Sequence, residues 1–364
     1  MGHADLTVSP RKPELKIALG WMRMKPRHLI GSIGAIVVLL ASVTAASAEV
    51  ATVRLARQFG ISYLPLTLMQ ELNLLETRAK EQGLDVKTEW LRFTGGSGMN
   101  EALLAGNLDF ASGGVGPFLT IWGRTTTNLK VKGVAALNAM PLWLVSVNPN
   151  VKSLKDLGPG DKIALPTAKT SIQAITLQMA AAKMFGEKEA SKFDSLTVSM
   201  GHPDAQIAML GGKSEITAHF GSPPFQEEEM KDPRAHKIVD SFDVLGGPHT
   251  FNLVWASSKF VSANPKVTAA FVAALGDSLK LIRDDPAKAV AIWIKAENVK
   301  LSPAEAAEIL KSPQNEWTTR PKRMLSYLEY MNRAGLVSAK ASSEAELFFP
   351  SGSVTGPGEG ADAR

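Results

Sequence analysis

The chain has 364 residues, 45% of them hydrophobic and 21% charged, with a formal charge of +5. That length suits two lobes better than one compact core, and the balance excludes disorder along the whole chain. There is no cysteine, which excludes disulfides, thiol nucleophiles, thiolate metal sites and lipid attachment through a cysteine.

The charge is unevenly spread. Arg11, Lys12, Lys16, Arg23, Lys25 and Arg27 face only Asp5 and Glu14 in the first 48 residues, and the rest of the chain is nearly neutral. A neutral body gives no electrostatic reason to expect a nucleic-acid partner. The basic stretch Met22–His28 runs into the uncharged segment Leu29–Val43 and then Ala46-Ser47-Ala48. This is the three-part layout of a secretory signal, with cleavage expected before Glu49. An uncleaved anchor is the competing reading, but the run is about 15 residues, short of the roughly 20 a span needs. Residues 1–48 are therefore expected to be an N-terminal extension and signal peptide. The product is expected in the periplasm, and not as a lipoprotein.

Thr52–Arg57 alternates in character and predicts a strand. A helix is expected from about Pro65 to Gln82, a strand over Val86–Phe93, a glycine-rich turn at Thr94–Gly98, a short helix Met99–Ala105 and a short strand Leu108–Ala111. This β-α-β order predicts a parallel, wound α/β sheet. Leu142–Val147 predicts a strand, and Lys162–Leu165 opens a new unit. A helix over Ser171–Phe185 follows, then strands near Leu196–Met200 and Glu215–Phe220 around a helix at Asp204–Leu210. Thr250–Ala256 predicts a strong strand. Beyond it the pattern turns helical: Asn264-Pro265 and Asp285-Pro286 each open a helix, Ser302–Glu305 reads as a capping box, and a last helix is expected over Lys322–Arg333. The tail, drawn from 341 to 364 and rich in Gly, Ser, Pro and Ala after Pro350, is expected to be disordered.

Three turns offer backbone N–H groups at helix starts: Gly95–Gly98, Thr170-Ser171 (with Thr170 and Gln173 as a capping box) and Gly221-Ser222-Pro223. Helix N-termini suit carboxylate, sulfonate, nitrate or phosphate, and ligands collect beyond the C-terminal ends of parallel strands. Each turn alone is also simply a helix start. Arg57 and Gln58, at the end of the first strand, are candidates for the same cleft, Arg57 otherwise being a surface charge. His249 is a candidate ligand donor. Trp122, Trp143 and Trp255 are pocket walls or core. The six histidines show neither metal-ligand spacing nor carboxylate pairing, and Glu227–Glu229 reads as a solvated helix face. No Walker loop or nucleophile elbow is present. No catalytic residue, metal or cofactor is expected.

The order of segments resembles the periplasmic substrate-binding components of ABC importers for sulfonates, nitrate and taurine, a group related to thiamine-pyrimidine-synthase-like domains. Arg54–Ser62, Phe93–Phe110, Gly114–Pro117, Val151–Leu157 with Ile163–Leu165, and Ser258–Pro265 carry the likeness, over roughly residues 52–335. The resemblance implies a periplasmic-binding-protein type II (Venus flytrap) fold, with two wound α/β lobes and a two-stranded hinge. Lobe I would take residues 49–143 and 250–340, and lobe II residues 144–249. It also implies ligand contacts at Gln58, Phe59, Ser97, Gly98, Gly114, Thr170, Ser171 and Ser222. The partners it implies are a small-molecule ligand and an ABC permease with its ATPase subunits, the binding protein acting as a monomer. Ser222-Pro223 stands where many relatives have an acidic residue before proline, which argues against taurine. A sensor module for a receptor and a thiamine-pyrimidine-synthase-like enzyme remain as alternative functions. The export signal and the lack of cysteine weigh against the enzyme.

Overall fold

The computed structural model describes residues 49–350. The expected signal segment (1–48) and the last part of the expected tail (351–364) lie outside the described residues. In chain order the first group of elements is β1 (Thr52–Arg57), α1 (Leu64–Glu71), α2 (Leu74–Glu81), β2 (Lys87–Arg92), α3 (Gly96–Leu104), β3 (Ala111–Gly114), α4 (Val115–Arg124) and β4 (Lys132–Ala136). The second is β5 (Trp143–Ser146), β6 (Ile163–Leu165), α5 (Ile172–Phe185), β7 (Thr197–Ser199), α6 (His202–Gly211), β8 (Ala218–Phe220), α7 (Phe225–Glu229), β9 (His236–Asp240) and α8 (Ser241–Leu245). The chain ends with β10 (Asn252–Ala256), α9 (Ser258–Ala263), α10 (Pro265–Asp284), α11 (Pro286–Glu297), α12 (Pro303–Lys311) and α13 (Met324–Arg333).

Two five-stranded arrays follow one plan. In the first, β1 and β2 pair in parallel, and β10 lies antiparallel between β3 and β4. The two parts join at the Leu55–Phe110 bridge, with Ala56 N donating to Phe110 O at 3.1 Å and Ser112 Oγ donating to Ala56 O at 2.6 Å. The second array runs β7-β6-β8-β5-β9, with β6 parallel to β7 and β8 and β5 antiparallel to its neighbours. Each array is a parallel trio in the order second-first-third, then one incoming antiparallel strand, then an edge strand. The sequence carries no matching repeat; the symmetry belongs to the topology alone.

The chain passes between the arrays twice, and the two passages pair with each other. Leu137 N donates to Asn252 O at 2.8 Å, and Phe251 N donates to Asn138 O at 3.1 Å. Ala139 bridges Thr250 on one side and Glu316 on the other, so residues from the C-terminal part widen the ladder. This is the periplasmic-binding-protein arrangement expected from the resemblance.

Several boundaries differ from the sequence reading for local reasons. The helix expected over 65–82 is two helices, broken at Asn73, whose φ of 49° is left-handed, a conformation asparagine tolerates. The α12 capping box is present as expected, with Ser302 Oγ accepting from Glu305 N. The expected disorder does not begin at 341: Leu347 is fully buried, Phe349 N donates to Gly133 O at 2.9 Å, and Phe348 packs near Phe118. Those aromatic residues outweigh the polar composition around them. Among the described residues no helix is long and apolar enough to cross a membrane.

Helix α10 covers the first array. Its buried positions Val267, Ala270, Phe271, Ala274 and Leu275 recur at helical spacing and form one apolar stripe. Phe271 stacks on Phe110 at 4.4 Å, and Phe260 meets the same ring edge-on at 5.2 Å. At the other end of the chain, α13 packs on both α4 and α5, with Tyr327 and Thr176 sharing a 3.0 Å hydroxyl contact. Phe271→Ala leaves a cavity in this stack and is expected to cost about 3–5 kcal/mol of stability, measured by denaturant unfolding.

Candidate functional site

Four helices begin at one place. Gly95 precedes α3, Gly114 precedes α4, Ser171 precedes α5 and Gly201 precedes α6. Two of these follow strands of the first array and two follow strands of the second, so the ends of both parallel trios meet. The cavity between them is lined by Gln58, Tyr63, Gly96, Gly114, Pro117, Pro166, Ser171, Ile172, Gln173, His202 and Phe251. The approach of the two sides depends on missing side chains. A Cβ on Gly116 would lie 2.6 Å from Thr170 O, and one on Gly95 would lie 2.3 Å from Thr167 Oγ1. Ser97 Oγ and Thr170 Oγ1 complete the crossing with a hydrogen bond of 2.9 Å.

The lining carries no Asp, Glu, Lys or Arg. Tyr63 is fully buried, its pKa raised by desolvation, and its hydroxyl donates to Asn252 Oδ1 at 3.1 Å. His202 is held well below its ordinary pKa, by burial first and by His219 second. Both stay neutral near pH 7. Positive potential therefore comes from the backbone N–H groups at the four helix starts. The arrangement can hold an anion or an acceptor-rich group.

Of the residues singled out in the sequence, Gln58, Gly114 and Ser171 line the cavity. Ser97 and Thr170 bind each other across it. Thr170 is not the cap of α5: Ser171 is, its Oγ accepting from Ala174 N at 3.2 Å. Gly98 faces Phe93, and Phe59 lies beneath the Arg92 guanidinium at 5.1 Å. Arg57 is neither a surface charge nor part of the lining; it is buried and paired with Glu297, with Gln70 Oε1 accepting at 3.1 and 3.2 Å. Ser222 is buried, and its Oγ has no hydrogen-bond partner. The helix after it starts only at Phe225, with Pro224 as the residue before it, so serine does not cap it.

His249 is likewise outside the lining. It is fully buried, donates from Nδ1 to Thr250 O at 3.0 Å and accepts at Nε2 from Ser241 Oγ at 2.8 Å. Ser241 Oγ in turn accepts from Leu142 N at 2.8 Å. This neutral ring fastens the two passages between the arrays. Trp255 is core, packed on Phe118.

Two sequence readings are corrected by the fold. A histidine is paired with a carboxylate: His219 Nδ1 lies 2.5 Å from Glu229 Oε1. The acidic run Glu227–Glu229 is not a solvated face, since Glu229 is fully buried, and burial pushes the Glu227 carboxyl up to about 7. The ten-residue separation of His219 and Glu229 has no motif. The available signal was the apolar setting of His219 between Ala218 and Phe220. That a helix begins after Gly114 was also missed, as was His202 at the start of α6. Among the described residues no group of three His, Cys, Asp or Glu side chains is placed to hold a metal ion.

The fold and cleft define a periplasmic-binding-protein architecture, and solved structures of that class match closely in shape. The alkanesulfonate-binding protein SsuA from Xanthomonas axonopodis pv. citri, bound to MOPS, matches with a TM-score of 0.64 and 20% identity over 83% of this chain and 99% of its own. The periplasmic nitrate-binding protein NrtA from Synechocystis PCC 6803 matches at 0.61 and 15% over 82% and 85%. A conserved Candida albicans gene product with the generic periplasmic binding protein fold matches at 0.60 and 14% over 84% and 96%. A family model described as NMT1/THI5 like matches residues 80–289, more than half of the chain, and the chain belongs to that family. No curated protein matches it. SsuA and NrtA are binding proteins.

Two outcomes follow from the site geometry. Glu297→Leu leaves Arg57 charged and unpaired in the interior and is expected to cost about 3–5 kcal/mol, measured by denaturant unfolding. Burial pushes the His249 imidazole down to about 4. Between that value and the unfolded value near 6.5 the unfolded chain binds a proton that the folded chain refuses, so stability falls as pH falls. In His249→Gln the loss between pH 7 and pH 4 is expected to be smaller by about 3 kcal/mol, read from unfolding curves at both values.

Proposed function

We propose that the protein is the solute-binding component of an ABC import system. It would take a small anion of the sulfonate, nitrate or carboxylate kind between two lobes, residues 49–143 with 250–340 and residues 144–249, and deliver it to a membrane permease served by ATPase subunits. The observation that carries this reading is the meeting of four helix N-termini, two from each array, at a lining with no side-chain cation. A ligand touching both sides stabilises the closed arrangement by its differential affinity, and rotation about the paired passages supplies the motion. Gln58, Gly114 and Ser171 are the expected contacts among the residues read from sequence, with Ser97 and Thr170 closing the rim. Export to the periplasm by a cleaved signal, a monomeric state and the absence of a lipid anchor belong to the same proposal.

The test is a thermal-shift screen after unfolding and refolding, over alkanesulfonates, taurine, nitrate, aromatic carboxylates, urea-like solutes and pyrimidines. A ligand at 100 times its dissociation constant adds about 2.7 kcal/mol of stability. One anionic class is expected to raise Tm by a few degrees. Ser97→Trp, which fills the rim, is expected to keep the fold and lose that shift. A full shift in the variant places the ligand elsewhere.

A further inference from the structure

A line of buried polar side chains leads from the second array into the cleft. Glu229 Oε1 lies 2.5 Å from His219 Nδ1, His219 Nε2 lies 2.8 Å from His202 Nδ1, and His202 Nε2 lies 3.4 Å from Gln173 Nε2. Glu229 and His219 are fully buried, and His202 and Gln173 are 5% and 2% exposed. The last two line the cavity. Phe225 stacks on His202 at 5.5 Å and fixes the plane of its ring.

Such a line has a direction, because a neutral imidazole carries one N–H and one lone pair. With a proton in each of the two inner contacts and a third on His202 Nε2, the group is neutral and presents a donor to the cleft. With one proton fewer, Glu229 is a carboxylate, both imidazoles turn round, and His202 Nε2 presents a lone pair. The surroundings decide between them. Glu229 Oε2 has no hydrogen-bond partner, and the neighbouring charges on its helix are Glu227 and Glu228. An unpartnered carbonyl oxygen of a neutral acid is tolerable at such a place; an unpartnered carboxylate oxygen with no cation is far more costly. Burial, and after it Glu228, hold the Glu229 carboxyl well above its ordinary range, in the same direction.

We infer that His202 is a ligand-recognising hydrogen-bond donor of the cleft, and that Glu229, acting through His219, is the positioning residue that keeps its Nε2 protonated. This rests on the cleft being the ligand site. The ligand group facing His202 is then an acceptor oxygen, bound by neutral N–H donors from a ring and from backbone. Turning the Gln173 amide by half a rotation places its oxygen on the same N–H when no ligand group does.

The test reads the proton directly. In protein labelled with 15N-histidine, at pH 7 and with no added compound, a long-range 1H–15N spectrum is expected to show His202 Nε2 as pyrrole-like and Nδ1 as pyridine-like. A pyridine-like Nε2 overturns the inference. Glu229→Gln retains an N–H that can face His219 Nδ1, and the pattern is expected to persist. Glu229→Met neither donates nor accepts; the two directions are no longer distinguished, and the His202 Nε2 signal is expected to move to an intermediate, averaged position. An unmoved signal in a folded Glu229→Met protein removes Glu229 from the role. The spectrum needs no ligand, so its outcome is separate from the thermal-shift screen. A pyrrole-like Nε2 with no stabilising compound keeps the proton assignment and the positioning role of Glu229, but sinks the ligand role of His202 together with the transport reading.

Discussion

The two short passages between the arrays hold the molecule's geometry. They are only a few residues long, and their backbone groups would be costly to bury unpaired. Asn138 answers this on one side, donating to Ser62 O at 2.6 Å and accepting from Asn252 N at 3.2 Å. His249 and Ser241 answer it on the other, taking up Leu142 N. The residues satisfied here are neighbours of the cleft lining. Tyr63 follows Ser62 and bonds Asn252, and Phe251 sits inside the ladder itself. Under the proposed closure, a rotation about this ladder would move Tyr63 and Phe251 against the start of α5, so that the motion and the shape of the site would be one degree of freedom, not two linked ones.

The constraint on the opposite rim is steric. Backbone and small side chains approach across the cleft at Gly95 and Gly116, and the side-chain hydrogen bond that spans the rim there, Ser97 to Thr170, is between two small hydroxyls. Contacts this short are worth little individually, since a neutral hydrogen bond contributes about 1 kcal/mol net. That is a suitable scale for a surface that separates in the proposed cycle. The extended apolar packing lies elsewhere, in α10 on the first array and in α13 against α4 and α5.

What the sequence revealed of this was mostly local. Alternation marked β1, a capping box marked α12, prolines after Asn264 and Asp285 marked α10 and α11, and the glycine-rich turn marked the start of α3. Each signal is complete within a few residues. The errors came where a distant partner decided the outcome. Arg57 at a strand end looks like a cleft residue until Glu297, 240 positions later, takes its charge. His249 looks like a free donor until Ser241 and Leu142 are brought beside it. Thr170 and Ser171 are equal candidates for a cap, and only the contact with Ser97 shows why the second does that work. His202 was missed because its partners, His219 and Gln173, stand on a strand and a helix that no spacing rule connects.

The choice of donors in the cleft has a physical logic of its own. If the cleft closes on a ligand as proposed, a lysine or arginine there would have to lose its water at each closure and would stand uncompensated whenever the ligand left. The fold avoids this: Arg57, the nearest arginine to Gln58 along the chain, is neutralised by Glu297 before it reaches the lining. Backbone N–H groups at helix starts carry partial charge fixed in place, and they need no counterion when exposed. A neutral imidazole with one assigned proton belongs to the same class of donor. Its direction, though, has to be imposed, because the ring can turn its proton to either nitrogen. In the backbone the peptide bond imposes it; at His202, under the inference drawn above, it falls to a buried acid two contacts away, which would account for a fully enclosed glutamate standing behind the cleft.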